Sequence, residues 1–111
     1  MKVLVRCTGI EHSPSLVEHT ARKIHQHLSR FGHRLSSVDA RLSDVNGPRG
    51  GFDKRCLVVA HGPGLGSLRV EEVHEDFYGS VDLALARLAR SIGRSIARTR
   101  AQHAAPERRA L

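Results

Sequence analysis

Four arginines give this chain its chemical character. Arg87, Arg90, Arg94 and Arg98 recur at spacings of three, four and four. At about 100° per residue on an α-helix they fall within an arc of about 80°. From Leu83 to the C-terminus the only carboxylate side chain is Glu107. A solvated helix face ordinarily mixes signs and gains i,i+4 pairs, whereas like charges in a row repel and cost stability. The stripe is therefore expected to meet an anion; the competing reading is a face that only keeps the helix soluble. Arginine suits phosphate, because its planar fork donates bidentate hydrogen bonds to phosphate oxygens and stacks on exposed bases. A second basic set, Arg22, Lys23 and Arg30 with His19 and Gln26, lies on the polar side of an earlier amphipathic segment. Packed side by side, the two segments would form one two-helix basic surface.

Other chemistry fails on spacing. His25 and His27 form an HxH pair, but on a helix the rings point about 200° apart and cannot share a metal. The remaining histidines (His12, His19, His33, His61, His74 and His103) show no ligand spacing with Cys7 or Cys56. Cys56 and His61 are separated by an odd number of residues, which puts them on opposite faces of one strand. The GPGLGS turn (residues 62–67) lacks the Lys-Ser/Thr ending of a phosphate loop, and no helix follows it directly. The expectation is a protein with no catalytic residues, no metal, no cofactor and no small-molecule substrate, and so not an enzyme.

Composition agrees with a polyanionic partner. Over 111 residues, 18 Lys and Arg against 11 Asp and Glu leave a net charge of +7, which suits nucleic acid or an anionic membrane surface. The two cysteines form no CxxC and sit in apolar runs, where a thiol behaves as a small hydrophobe; a reducing compartment is the simpler reading. Val3-Leu4-Val5 is too short for a signal-peptide core, and no stretch approaches the ~18–20 apolar residues that cross a bilayer. The expected location is the cytoplasm, with no membrane partner, since the apolar face of the arginine helix is needed for a core.

The elements that must position these residues follow from periodicity. Residues 2–7 alternate and read as a strand. Ser13 and Pro14 then offer a cap and a first helical residue, and Val17, Ala21, Ile24, Leu28 and Phe31 mark one face of a helix over 14–31, closed by Gly32. Val38, Ala40 and Leu42 alternate with polar residues in a second strand. NGPRGG (46–51) is a turn by composition, 54–61 a more continuous apolar strand, and 67–73 a fourth strand after GPGLG. The acids Glu71, Glu72, Glu75 and Asp76 lead into a long helix where its dipole welcomes negative charge, with Asp76 as a candidate cap. Phe77, Val81, Leu85, Leu88, Ile92 and Ile96 form its apolar face. After Arg100 that periodicity stops, so residues 1–100 read as one domain and 101–111 as a short, disordered basic tail. The order β-α-β-β-β-α implies a parallel crossover followed by two antiparallel hairpins. It predicts an α+β, two-layer domain, a four-stranded mixed sheet with two helices on one face.

The segment Glu75-Asp76-Phe77-Tyr78-Gly79-Ser80-Val81-Asp82 resembles the acidic-aromatic-Tyr-small-small-aliphatic-Asp signature of the ribosome hibernation promoting factor and ribosome-associated inhibitor family, the bacterial ribosomal subunit interface proteins. Leu88 and the basic residues at 90, 94 and 98 continue the likeness, which spans roughly residues 2–100. The resemblance implies a double-stranded-RNA-binding-like fold and a cytoplasmic stress-response role, in which binding in the messenger and transfer RNA channel of the small ribosomal subunit pauses translation. It implies ribosomal RNA contacts from Arg22, Lys23, Arg30, Arg87, Arg90, Arg94 and Arg98, a structural role for Tyr78 and Asp82 in capping and anchoring the helix, and a monomer off the ribosome. Two rival functions stand beside it: a general structured-RNA binder, and a basic interaction module for an acidic protein.

Overall fold

Alternation gives each strand one face to bury, and two amphipathic helices cover it. The computed structural model describes residues 1–45 and 53–110, with side chains as far as Ala101; NGPRGG lies outside the described residues. The order is β1 (Lys2–Thr8), α1 (Pro14–Leu28), a 3-10 helix (Ser29–Arg34), β2 (Ser37–Asp44), β3 (Lys54–Gly62), β4 (Gly66–His74) and α2 (Phe77–Ala110). The strands form one sheet in the order β1-β2-β3-β4. β1 runs parallel to β2, and the later pairs are antiparallel. This is the expected mixed sheet with both helices on one face.

The covered face carries Val38, Ala40 and Leu42 of β2, Cys56, Val58 and Ala60 of β3, and Val70 of β4. Leu16, Thr20, Ile24 and Leu28 of α1 and Val81, Ala84, Leu85, Leu88, Ala89 and Ile92 of α2 close over it. Alanines and a cysteine between larger aliphatics let the helices approach closely, which suits a core with few aromatics. Cys7 and Cys56 are both free thiols, held apart by Leu42, which stands between them in register.

Local chemistry sets the helix ends. Ser13 Oγ accepts the Leu16 N–H at 3.3 Å, with Pro14 in the first turn. Asp76 Oδ1 accepts the Gly79 N–H at 2.7 Å at the start of α2. α1 ends at Leu28, short of the expected residue 31, because the chain tightens into the 3-10 helix before Gly32 turns it at φ 57°. That turn lets fully buried Leu35 enter the core ahead of β2. Gly62, closing β3, lies against the Arg34 carbonyl, where a Cβ would collide with backbone. At the start of β3, Lys54 Nζ bridges Asp44 at 2.6 Å and buried Asp53 at 3.1 Å, and these hydrogen bonds raise its pKa. The backbone of α2 continues to Ala110, past Arg100 where the apolar periodicity ends. Ala101, Gln102, Ala104 and Ala105 are good helix formers, and propagation adds one bond per residue once a packed helix exists.

Leu88 is completely buried. Leu88→Ala should cost roughly 2–5 kcal/mol in denaturant unfolding, with no change in the salt dependence of any anion binding shown by the folded fraction. A loss well under 1 kcal/mol would mean that α2 is not seated on the sheet as described.

Candidate nucleic-acid interface

Seating Val81, Leu85, Leu88 and Ile92 on the sheet leaves the opposite side of α2 to solvent. Arg90, Arg94 and Arg98 stand there, all exposed. None of the three forms an ion pair among the described residues; Arg94 Nη2 donates only to Ser91 Oγ, at 3.3 Å. Arg87 differs. Its Nη1 donates to Glu72 Oε1 at 2.6 Å and lies 3.4 Å from the Glu71 carbonyl oxygen, which ties the first arginine of the stripe to β4 and offsets its charge. Glu71 and Glu72 belong to β4 and do not stand at the mouth of α2. Glu71 is shared between Arg55 at 3.3 Å and Arg69 at 3.9 Å. Sequence spacing could not show the Arg87–Glu72 pair, because its partners meet only when α2 folds back over β4.

The basic residues before β2 are spread. Arg22 is exposed on α1. Lys23 is half-buried, with Nζ 3.9 Å from Asp82 Oδ1 of α2. Arg30 falls beyond α1, in the 3-10 helix, its guanidinium carbon 4.9 Å from the centre of the Phe31 ring, a cation–π contact. Tyr78 meets the edge of His19 with ring centres 4.6 Å apart. Lys23, Asp82, His19 and Tyr78 thus line the seam between the helices. Asp82 lies about 120° around α2 from the centre of the arginine stripe, so the basic residues of the two helices flank the seam and do not merge across it. Tyr78 and Asp82 each contact α1, at His19 and Lys23, and neither caps α2, whose first turn is capped by Asp76.

His19 Nε2 is buried without a hydrogen-bond partner among the described residues. Burial lowers its pKa most; Arg22 and Lys23 add to the effect, and Asp82 opposes it. The Cys56 thiol is pushed up to about 12 by burial, far from a reactive thiolate, and His61 faces the other side of the sheet. Among the described residues no group of three His, Cys, Asp or Glu is placed to hold a metal, and no helix is long and apolar enough to cross a membrane.

A four-stranded sheet in sequential order beneath two helices, the last of them turning uncompensated arginines to solvent, defines a small cationic α+β domain. Residues 3–100 match the family described as Sigma 54 modulation protein / S30EA ribosomal protein, and the chain belongs to that family. It is 28% identical over 94 residues to the chloroplastic ribosome-binding factor PSRP1 of Spinacia oleracea, covering 83% of this chain and 31% of that protein; the chain thus spans about a third of this relative's length. A ribosomal subunit interface protein from Coxiella burnetii shares the fold with a TM-score of 0.73 at 22% identity, over 87% of this chain and 99% of that one. The N-terminal domain of Thermus thermophilus Protein Y matches with a TM-score of 0.68 at 25% identity, over 85% of this chain and 98% of that one. The family expected from the 75–82 segment and the two-layer α+β fold expected from the element order are the ones found.

His19 gives the helix seam a pH dependence with a definite sign. The folded state holds its proton less tightly than the unfolded chain, so stability falls as pH drops below about 6.5 and levels off below the lower folded pKa. His19→Phe keeps a ring against Tyr78 and removes the titration. Melting temperatures from pH 7.5 to 5 should fall less steeply for the variant than for the parent chain; parallel curves would show that His19 is not held neutral by the fold.

Proposed function

We propose that this chain binds the small ribosomal subunit through α2, seating Arg90, Arg94 and Arg98 on ribosomal RNA phosphates in the channel used by messenger and transfer RNA, and so holds translation in pause. The observation that carries this reading is the set of three exposed arginines without a carboxylate partner among the described residues, on a helix whose other face is fully committed to the core. Arg87 works beside them with its charge shared with Glu72. Arg22, Lys23 and Arg30 add attraction from the other side of the seam. The role requires no catalysis, metal or cofactor, and the protein acts in the cytoplasm as a monomer when off the ribosome. Membership of the S30EA family supports the reading, as do relatives described as a ribosome-binding factor and a ribosomal subunit interface protein. The segment after Arg100 contributes only long-range attraction through Arg108 and Arg109.

Phosphate contact has a salt signature. Each neutralised phosphate releases condensed counterions, with a log-log slope of roughly −0.7 to −0.9 per contact on regular nucleic acids. Arg90→Ala with Arg94→Ala should weaken binding to purified small subunits and flatten the salt slope by about 1 or slightly less per lost contact. Stability should hold or rise slightly, because repelling charges are removed and alanine is a strong helix former. Unchanged affinity and slope in the folded double variant would reduce the stripe to a solvated face.

A further inference from the structure

Two layers leave one face of the sheet uncovered, and its composition is unusual for a surface that meets only water. It presents Lys2, Leu4, Arg6 and Thr8 from β1, with Asp39 and Arg41 from β2. From β3 and β4 come Arg55, Leu57, Val59 and His61, and Arg69, Glu71 and Val73. Five Lys and Arg side chains therefore face two carboxylates, and Glu71 is already shared by Arg55 and Arg69. Arg6 and Arg41 are direct neighbours in the parallel register. Neither makes an ion pair among the described residues, although Asp39 lies two positions away on the same face. Like charges side by side on a sheet destabilise it, and an anion between them removes that cost. Adjacent strands sit about 4.8 Å apart, so two guanidinium forks can close on a single phosphate. Beneath them is a shallow depression of about 200 Å³ lined by Arg6, Asp39, Arg41, Leu57, Val59 and His61. The half-buried Leu57 and Val59 thin the water around that spot and strengthen any charge pairing there.

We infer that the uncovered sheet face is a second phosphate-binding surface, with Arg6 and Arg41 clamping the backbone of an RNA strand. This rests on the RNA-binding reading proposed above. The sheet face and the outer side of α2 lie on opposite sides of the two-layer domain. The chain is therefore built to be held between two RNA segments, with α2 on one and the sheet on the other. Asp39 is the one carboxylate that works against the clamp.

The test is binding of the full chain to purified small subunits across a salt series. It compares the parent chain with Arg6→Gln/Arg41→Gln, with Asp39→Asn, and with the α2 double variant. The Arg6/Arg41 variant should bind several-fold more weakly, with a slope shallower by roughly 0.7–0.9 for the one phosphate lost, while its melting temperature holds or rises. Asp39→Asn should bind more tightly than the parent. Arg6→Gln alone, on the edge strand, gives the same reading should the double variant fail to fold. If the sheet variants bind like the parent while the α2 variant is weakened, the sheet face is merely solvated, and this inference fails while the α2 reading stands. If neither set weakens binding, the RNA reading itself fails and takes the clamp with it.

Discussion

Burial of Val81, Leu85, Leu88 and Ile92 against the inner face of β3 and β4 is the contact on which the rest of the molecule depends. All four are completely excluded from water, and burying a large aliphatic side chain contributes about 1.5–3 kcal/mol. Repulsion between like charges at i,i+4 is only about 0.2–0.5 kcal/mol per pair. The core therefore sets the rotation of α2, and the arginines accept whatever direction remains. That direction is outward and toward β4, which is why Arg87 reaches Glu72 while Arg90, Arg94 and Arg98 form no ion pair among the described residues. A helix rotated by one residue would move Leu88 off the sheet, and the arginines would turn with it.

Local signals were legible in the chain and tertiary ones were not. Strict alternation in β2 and the apolar run of β3 marked strands because each must bury alternate residues in a thin core. Ser13-Pro14 and Asp76 marked helix starts because a side-chain oxygen there replaces a missing backbone partner. Apolar spacing carries α1 on to Phe31, three residues past its end, because Phe31 keeps the 3.6-residue period while the chain has already tightened into a 3-10 turn to deliver Leu35. Glu71 and Glu72 read as helix-dipole acids because they precede α2 closely, yet Glu71 pairs with Arg55 of β3 and Arg69 of its own strand, and Glu72 with Arg87 of α2. Arg87 looked free for the same reason. No spacing rule carries information about a partner that arrives only by folding.

The segment from Asp76 to Asp82 was the most readable part of the chain because nearly every residue in it has a separate mechanical duty. Asp76 caps α2, Phe77 packs against the core, and Tyr78 meets His19. Gly79 passes so close to the His74 ring that a side chain there would collide with it. Ser80 is buried, its hydroxyl donating to the Phe77 carbonyl at 2.9 Å. Val81 enters the core, and Asp82 reaches Lys23. A stretch so densely constrained tolerates few residue types at each position, so it can be read without any knowledge of what the surface binds. The arginine stripe carries no such constraint from folding, and its reading rests on electrostatics alone.

That electrostatic reading gains force from where the acids go. Asp44 and Asp53 hold Lys54, Glu71 holds Arg55 and Arg69, Glu72 holds Arg87, Asp82 faces Lys23, and Asp76 caps a helix. More than half of the 11 acids are thus engaged within the domain, and they take up the cations nearest the joints between elements. Much of the excess charge is left on surfaces with no structural partner, among them the outer side of α2 and the β1–β2 part of the open sheet. At physiological ionic strength the screening length is about 8 Å, so charges on one such surface act together on a nearby anion while the two surfaces act separately. A net charge of +7 arranged this way offers a polyanion two separate places to bind.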